Sequence, residues 1–262
     1  IFCYFYDRPN ICNMSKIKFT TRTYIRLFWA LVLIPIITII LLFILISSEK
    51  LGKMPSFIEL ENPENNLASE IYSSDDVLIG NIFWDNRSYA KQDEIPQNII
   101  DALIATEDIR FHQHSGIDAR GLGRVLVYSV LMNNSSSGGG STITQQLAKN
   151  LFPRDTTTYR SSVGRKVHLG ISKFKEWVTA VKLERNYTKD EIIVMYLNTV
   201  PFGGITYGIK SAAKTYFNKP TDSLRVEESA LLVGLLKAPT YYSPVRNPER
   251  SRLRRNVVMN QM

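Results

Sequence analysis

The longest feature in the hydrophobic pattern is LFWALVLIPIITIILLFILI, Leu27 to Ile46, which carries no charge. A helix needs about 20 apolar residues to cross a bilayer core of about 30 Å, so this run predicts a membrane span over 27–46. Pro35 is compatible with that, because neighbouring groups re-satisfy the freed carbonyl. A cleavable signal sequence is the competing reading. The run exceeds the usual ~7–15 apolar residues of such a signal, and ISSEKLGKM offers no small-x-small cleavage site, so an uncleaved anchor is expected. Lys50 to Asn66 then reads as a polar linker, assigned to 47–67. Ala68 to Trp84 alternates apolar and polar positions around Ser74-Asp75-Asp76, which predicts a short β-hairpin.

After Pro96 the period lengthens to that of a helix and stays so. Ile99, Ile100, Leu103 and Ile104 form one stripe, Pro96 suits the first turn, and Glu107 continues the inward face three and four residues on. Further helices are expected over Ala119 to Met132, after the glycine-serine loop in NNSSSGGGSTITQQLAKNLF, over Lys173 to Asn186 and over Lys189 to Leu197. Thr188 and Glu191 supply a capping box for the last of these. FGGITYGI is a glycine-punctuated turn before a helix ending near Phe217, Ala230 to Leu236 is a buried apolar segment, and Asn247-Pro248 opens a final helix. The fold class is mainly α, with no internal repeat and no coiled coil.

Charge adds an orientation. Lys16, Lys18, Arg22 and Arg26 flank the apolar run on its N-terminal side, so the positive-inside rule makes 1–26 cytoplasmic and sends everything after Ser47 outward. MSKIKF reads as a natural start, which makes residues 1–13 an over-extended beginning. Both cysteines, Cys3 and Cys12, fall there, so the exported part has neither a disulfide framework nor a thiolate metal site. The 262 residues carry a net charge of +8. For an exported, anchored domain that excess points to anionic headgroups or diphosphates rather than nucleic acid.

Three stretches carry chemistry. ATEDIRFHQHSG, Ala105 to Gly116, ends an apolar helix in Glu107 and Asp108 and follows with Phe111, His112 and His114. Burial of a carboxylate favours its neutral form and suits it to proton transfer; a helix-end ion pair with Arg110 and a metal site are the competing readings. GGGSTITQQLAKN, Gly138 to Asn150, offers Ser141 or Thr142 as a cap, Gln145 at capping-box spacing, and a stripe of Thr142, Gln146 and Lys149. Free N–H groups at a helix start with a lysine two turns on suit a diphosphate, against the alternative of a mobile loop and an ordinary capped helix. It is not a P-loop, since Gly140 stands where that motif needs lysine. SKFKEWVTAVKLER puts Lys173 and Glu176 on one face, continued by Ala180 and Glu184; a solvated, ion-paired face is the competing reading.

In this order the stretches closely resemble the glycosyltransferase domain of class A penicillin-binding proteins and the monofunctional peptidoglycan glycosyltransferases (family 51). EDxxFxxHxG is matched by Glu107, Asp108, Phe111, His114 and Gly116, and GGSTxTQQ with its following lysine by Gly139 to Gln146 and Lys149. RKxxE is met by Lys173 and Glu176, but Ser172 stands where arginine is expected. KDEIIVMYLN, Lys189 to Asn198, PFGG, and EESALLVGLLKAPTYYSPVRNPERSRLRR complete the set. About a dozen extra residues lie between Lys149 and Glu176, and Arg154, Arg160 or the Arg165-Lys166 pair is expected to replace the missing arginine. The resemblance covers 68–262 and reads as a domain truncated before a transpeptidase domain.

The resemblance implies a lysozyme-like, two-lobed helical fold and the polymerisation of lipid II into β-1,4-linked glycan strands with release of polyprenyl diphosphate. Glu107 is then the general base and Glu176 the second catalytic carboxylate. Asp108, Phe111, His114, Ser141, Thr142, Gln145, Gln146, Lys149, Lys173 and Asn198 are the substrate-binding set, His114 serving to fix the Glu107 loop. No cofactor is required, although a divalent cation on the diphosphate is compatible with the chemistry. The implied partners are lipid II, the growing glycan strand and the bilayer, with other cell-wall synthesis proteins compatible. A muramidase or lytic transglycosylase cutting the same bond, and a non-catalytic cell-wall scaffold, are the alternatives.

Overall fold

The computed structural model describes residues 20–48, 50, 69–75, 78–82, 86–131, 139–152 and 162–262. The expected start at 1–13, almost all of the linker at 47–67, most of the glycine-serine loop and the first part of the extra segment after Lys149 lie outside them. The chain divides into two compact units, 1–45 and 46–262.

Helix α1 spans Thr21–Ser47, starting well before the apolar run and ending one residue after it. It is long and apolar enough to cross a membrane. Large side chains such as Leu31, Ile34 and Ile37 are exposed along it, and the Thr38 hydroxyl, midway along the apolar run, donates to Ile34 O and is thus used inside the helix.

In the second unit the predicted hairpin forms: β1 (Ser69–Tyr72) pairs antiparallel with β2 (Leu78–Ile82). The remainder is mainly helical. Helix α2 is Gln97–Glu107, α3 Ala119–Leu131, α4 Ile143–Leu151, α5 Ser162–Asn186 and α6 Lys189–Thr199. Helix α7 is Ile209–Phe217, α8 Val226–Leu236 and α9 Pro248–Gln261. Two expectations change. Helix α5 begins eleven residues before the expected start at Lys173, so the second half of the extra segment is part of that helix. The FGGITYGI stretch contributes two short strands, β4 (Pro201–Gly203) and β5 (Thr206–Tyr207), to a sheet of order β3-β5-β4, where β3 is Asn86–Arg87.

Helix α6 lies at the centre. Ile192, Ile193, Tyr196 and Leu197 are all at most 1 % exposed, and burial of each aliphatic side chain contributes about 1.5–3 kcal/mol relative to exposure. It begins in the expected capping box, with Thr188 Oγ1 accepting from Glu191 N and Glu191 accepting from Thr188 N. Helix α4 packs on α5 and α6, while α2 packs on α8 and α9. This brings the end of α2, the start of α4 and the middle of α5 around one cavity.

Candidate active site

Helix α2 stops at Glu107 because Asp108 leaves helical backbone, at φ −157° and ψ 74°. Asp108 then turns inward. Its carboxylate accepts from the Ile143 N–H at the start of α4 at 3.1 Å, and both oxygens lie 3.1 Å from His114 Nε2. Charge-assisted bonds of this kind are among the stronger ones available to a buried carboxylate. The competing reading, a helix-end carboxylate paired with Arg110, is not what forms: Arg110 donates from Nε to Asp118 instead, at 3.1 Å.

The chain between Asp108 and Gly116 is pinned from several sides. Phe111 is fully buried beneath the Lys189 ammonium, which sits 4.2 Å from its ring centroid and donates to His114 O at 2.7 Å. Gly116 has φ +87°, and a Cβ there would lie 2.9 Å from both the carbonyl carbon and the oxygen of Ala180. Only glycine fits that approach without strain. Its carbonyl oxygen accepts from the Thr142 hydroxyl at 2.8 Å and the Gln145 Nε2 at 3.0 Å. Thr142 is thus the cap of α4, also accepting from Gln145 N, while the Gln145 side chain goes to Gly116 rather than closing a capping box.

Glu107 is half-buried and faces the cavity. Gln146 Nε2 donates to Glu107 Oε2 at 2.9 Å, and the Tyr196 hydroxyl donates to Gln146 Oε1 at 3.0 Å. Burial, and secondarily the Glu107 charge, push the Tyr196 hydroxyl well above the ordinary phenol range, so it stays protonated. Across the cavity, Lys173 Nζ donates to Ser141 Oγ at 2.8 Å and to Glu176 Oε2 at 3.0 Å. Glu176 is buried, as are Ser172, Thr179 and Ala180, so this face of α5 is an interior one rather than a solvated one, and the Lys173–Glu176 ion pair lies at its edge.

The cavity has a volume of about 780 Å³. Glu107, Asp108, Ser141, Gln145, Gln146, Lys149, Lys173 and Glu176 all line it. Phe111, His114, Thr142 and Asn198 do not. The first three brace the loop beside it. Asn198 sits elsewhere, its amide exchanging two 2.8 Å bonds with the backbone N–H and carbonyl of Ala90, which ties the segment after β3 to the end of α6.

Three cations absent from the sequence-based set also line the cavity: Arg124 from α3, Lys237 after α8, and Arg254 from α9. No local spacing marks Arg124, and only the fold brings it to the cavity that Lys173 lines. Of the residues expected to replace the missing arginine, Arg154 and Arg160 lie outside the described residues, and Arg165 and Lys166 are exposed on α5 and do not line the cavity. Ser172 is buried. Among the described residues no group of three acidic, histidine or cysteine side chains converges to hold a metal ion.

A sequence profile described as transglycosylase matches residues 75–262. Penicillin-binding protein 1A of Neisseria flavescens is 39% identical over 210 residues, covering 80% of this chain and 25% of that protein. Penicillin-binding protein 1F of Bacillus subtilis (strain 168) is 39% identical over 195 residues, covering 74% of this chain and 26% of that one. The chain therefore spans about a quarter of the length of these relatives. A crystal structure of penicillin-binding protein 1A from Haemophilus influenzae aligns with TM-score 0.39 at 25% identity, over 76% of this chain and 18% of that chain. The profile takes in the two carboxylate-bearing helices, the capped start of α4 and the lysines that share their cavity, and by that match the chain belongs to the transglycosylase family, the family 51 peptidoglycan glycosyltransferases.

Proposed function

We propose that the domain polymerises lipid II, with Glu107 as general base. The acceptor's 4-hydroxyl on N-acetylglucosamine attacks the anomeric carbon of the donor's N-acetylmuramic acid. The new C–O bond forms as the bond to the diphosphate breaks, its electron pair leaves with the phosphate, and the hydroxyl proton passes to Glu107. The α-linked donor is thereby inverted to a β-1,4 product. The observation that carries this reading is the single cavity that Glu107 shares with Lys149, Lys173 and Glu176.

Each demand of the reaction has a candidate. A sugar hydroxyl is a weak nucleophile, and a positioned base contributes typically about 10²–10⁴-fold. Gln146 holds one oxygen of Glu107, which orients the carboxylate. Positive charge develops at the anomeric carbon, and Glu176 is the second carboxylate facing that space. Charge on the departing diphosphate meets Lys149, Lys173 and Arg124. A divalent ion held by the protein does not fit these residues: Asp108 is engaged by Ile143 N–H and His114, and Glu176 by Lys173. Any such ion would arrive with the diphosphate as part of the substrate, and no step is routed through it.

The lipid product remains in the bilayer, which accounts for an anchor such as α1. The basic residues before it favour a cytoplasmic N-terminus and an extracytoplasmic domain. On this reading 68–262 is the catalytic unit.

The test supplies labelled lipid II without preformed glycan. Wild type is expected to make polymer and Glu107→Gln to make none. A folded wild type that makes no polymer but cuts finished glycan would instead be a lytic enzyme. A Glu107→Gln protein that retains all cellular function would be a scaffold.

A further inference from the structure

One donor beside the base is unused by the reaction above. Tyr196 is 0 % exposed on α6, so its hydroxyl cannot touch substrate, yet it ends a chain that reaches Glu107 through Gln146. Each link has one permitted direction. An ionised carboxylate only accepts, so Gln146 must turn its NH₂ toward Glu107 and leave its carbonyl for Tyr196. The phenol is held protonated by burial and by the Glu107 charge, so it remains able to donate to that carbonyl. An amide turned over would set its oxygen against the carboxylate instead.

We propose that Tyr196 is a positioning residue for the base: its hydroxyl fixes the Gln146 amide with the NH₂ toward Glu107, occupying one carboxylate oxygen and leaving the other for the acceptor's proton. The inference rests on Glu107 being the base. It assigns the motif tyrosine of KDEIIVMYLN a task beyond packing, because the two hydrogen bonds join α6, α4 and α2 at the point where the site is built. Phenylalanine would keep the ring and its burial but leave Gln146 Oε1 without a donor and the amide free to turn.

The test is a double-mutant cycle on the full chain, with lipid II polymerisation measured for wild type, Tyr196→Phe, Gln146→Ala and the double variant. Tyr196→Phe is expected to lower kcat about three- to tenfold, the weight of one hydrogen bond, with KM for lipid II unchanged. In the Gln146→Ala background the same substitution is expected to change nothing, since no amide is left to orient. The double variant buries no orphaned amide oxygen, so it remains informative even where Tyr196→Phe alone unfolds. Equal losses in both backgrounds, or a loss that falls on KM, overturn the proposal and reduce the hydroxyl to a structural one. Failure of the base assignment reads separately: polymer from Glu107→Gln sinks that assignment whatever the cycle gives. An additive cycle with Glu107→Gln inactive sinks only the role of Tyr196.

Discussion

Replacing Lys189 by methionine tests how the loop carrying the two carboxylates is held. Lys189 Nζ lies 2.7 Å from Glu184 Oε2 and donates to His114 O at 2.7 Å, above the Phe111 ring. Glu184 also accepts from the Thr144 hydroxyl at 2.6 Å. The two side chains are 23% and 5% exposed, so the substitution strands a buried carboxylate while keeping the apolar stem over Phe111. Breaking a buried pair from one side costs about 3–5 kcal/mol, and the partial exposure of Lys189 puts this case near the low end. At about 2–4 °C per kcal/mol for a domain of this size, about 3 kcal/mol lowers the unfolding midpoint by about 6–12 °C. Circular-dichroism melting of the detergent-solubilised chain measures it, at low and high salt, and the loss should depend little on salt because the pair is largely desolvated. Glu184→Met combined with Lys189→Met should recover most of the loss, since no charge is then left buried alone. A single variant that melts within about 2 °C of wild type, or a double variant no better than the single, refutes this account.

Three further outcomes follow from the same geometry. Gly116→Ala forces a Cβ against the Ala180 backbone at φ +87°, and should destabilise by about 2 kcal/mol or more, read as a lower melting temperature. It should also reduce activity, because Thr142 and Gln145 both bond to the Gly116 carbonyl. Asp118 is held below the ordinary carboxylate range; burial, the largest single influence, pushes it up, but the Arg110 guanidinium and the Gly121 N–H outweigh it. Its folded value is depressed, so its contribution to stability is present above the unfolded value of about 3.9 and is lost as pH falls through the folded one. Asp118→Asn should therefore melt lower than wild type at neutral pH and converge with it in acid. Arg124→Ala should raise KM for lipid II about tenfold or more, the weight of a bond to a charged group, whereas Arg165→Ala should leave it within about twofold. The reverse result would return the missing arginine to the extra segment.

The periodic parts of the fold were legible in the sequence because burial writes them there. Ile99 and Leu103 mark α2, and the Thr188 and Glu191 spacing marks the start of α6. What local pattern cannot carry is the partner across space. The Lys173–Glu176 pair shares a face by its i,i+3 spacing. That the face is buried and meets Ser141 depends on α5 packing against α4. The Glu184–Lys189 pair and Arg124 were invisible as site features for the same reason. The strands β4 and β5 were hidden too, since two or three residues are too few to show alternation and the glycines dominate the signal. Asn198 shows the same limit, because the sequence gives no sign that its amide bonds to the backbone of Ala90.

An apolar helix that ends in two carboxylates sets them at its negative pole, where the helix dipole opposes them. Neither is left to that field. Asp108 crosses to the positive pole of α4 and takes the Ile143 N–H, and Glu107 is held by Gln146 three residues further along the same helix. Helix α4 is what makes the ending of α2 tolerable, and it does so with the face that also carries Lys149 into the cavity. That is why ATEDIRFHQHSG and GGGSTITQQLAKN are uninformative apart. The first supplies carboxylates that need donors, the second supplies donors with charge to spare, and on the proposed reaction that surplus meets the leaving diphosphate. The cap at Thr142 serves both ends of the arrangement, since the hydroxyl that starts α4 also fastens Gly116 and with it the loop behind Glu107.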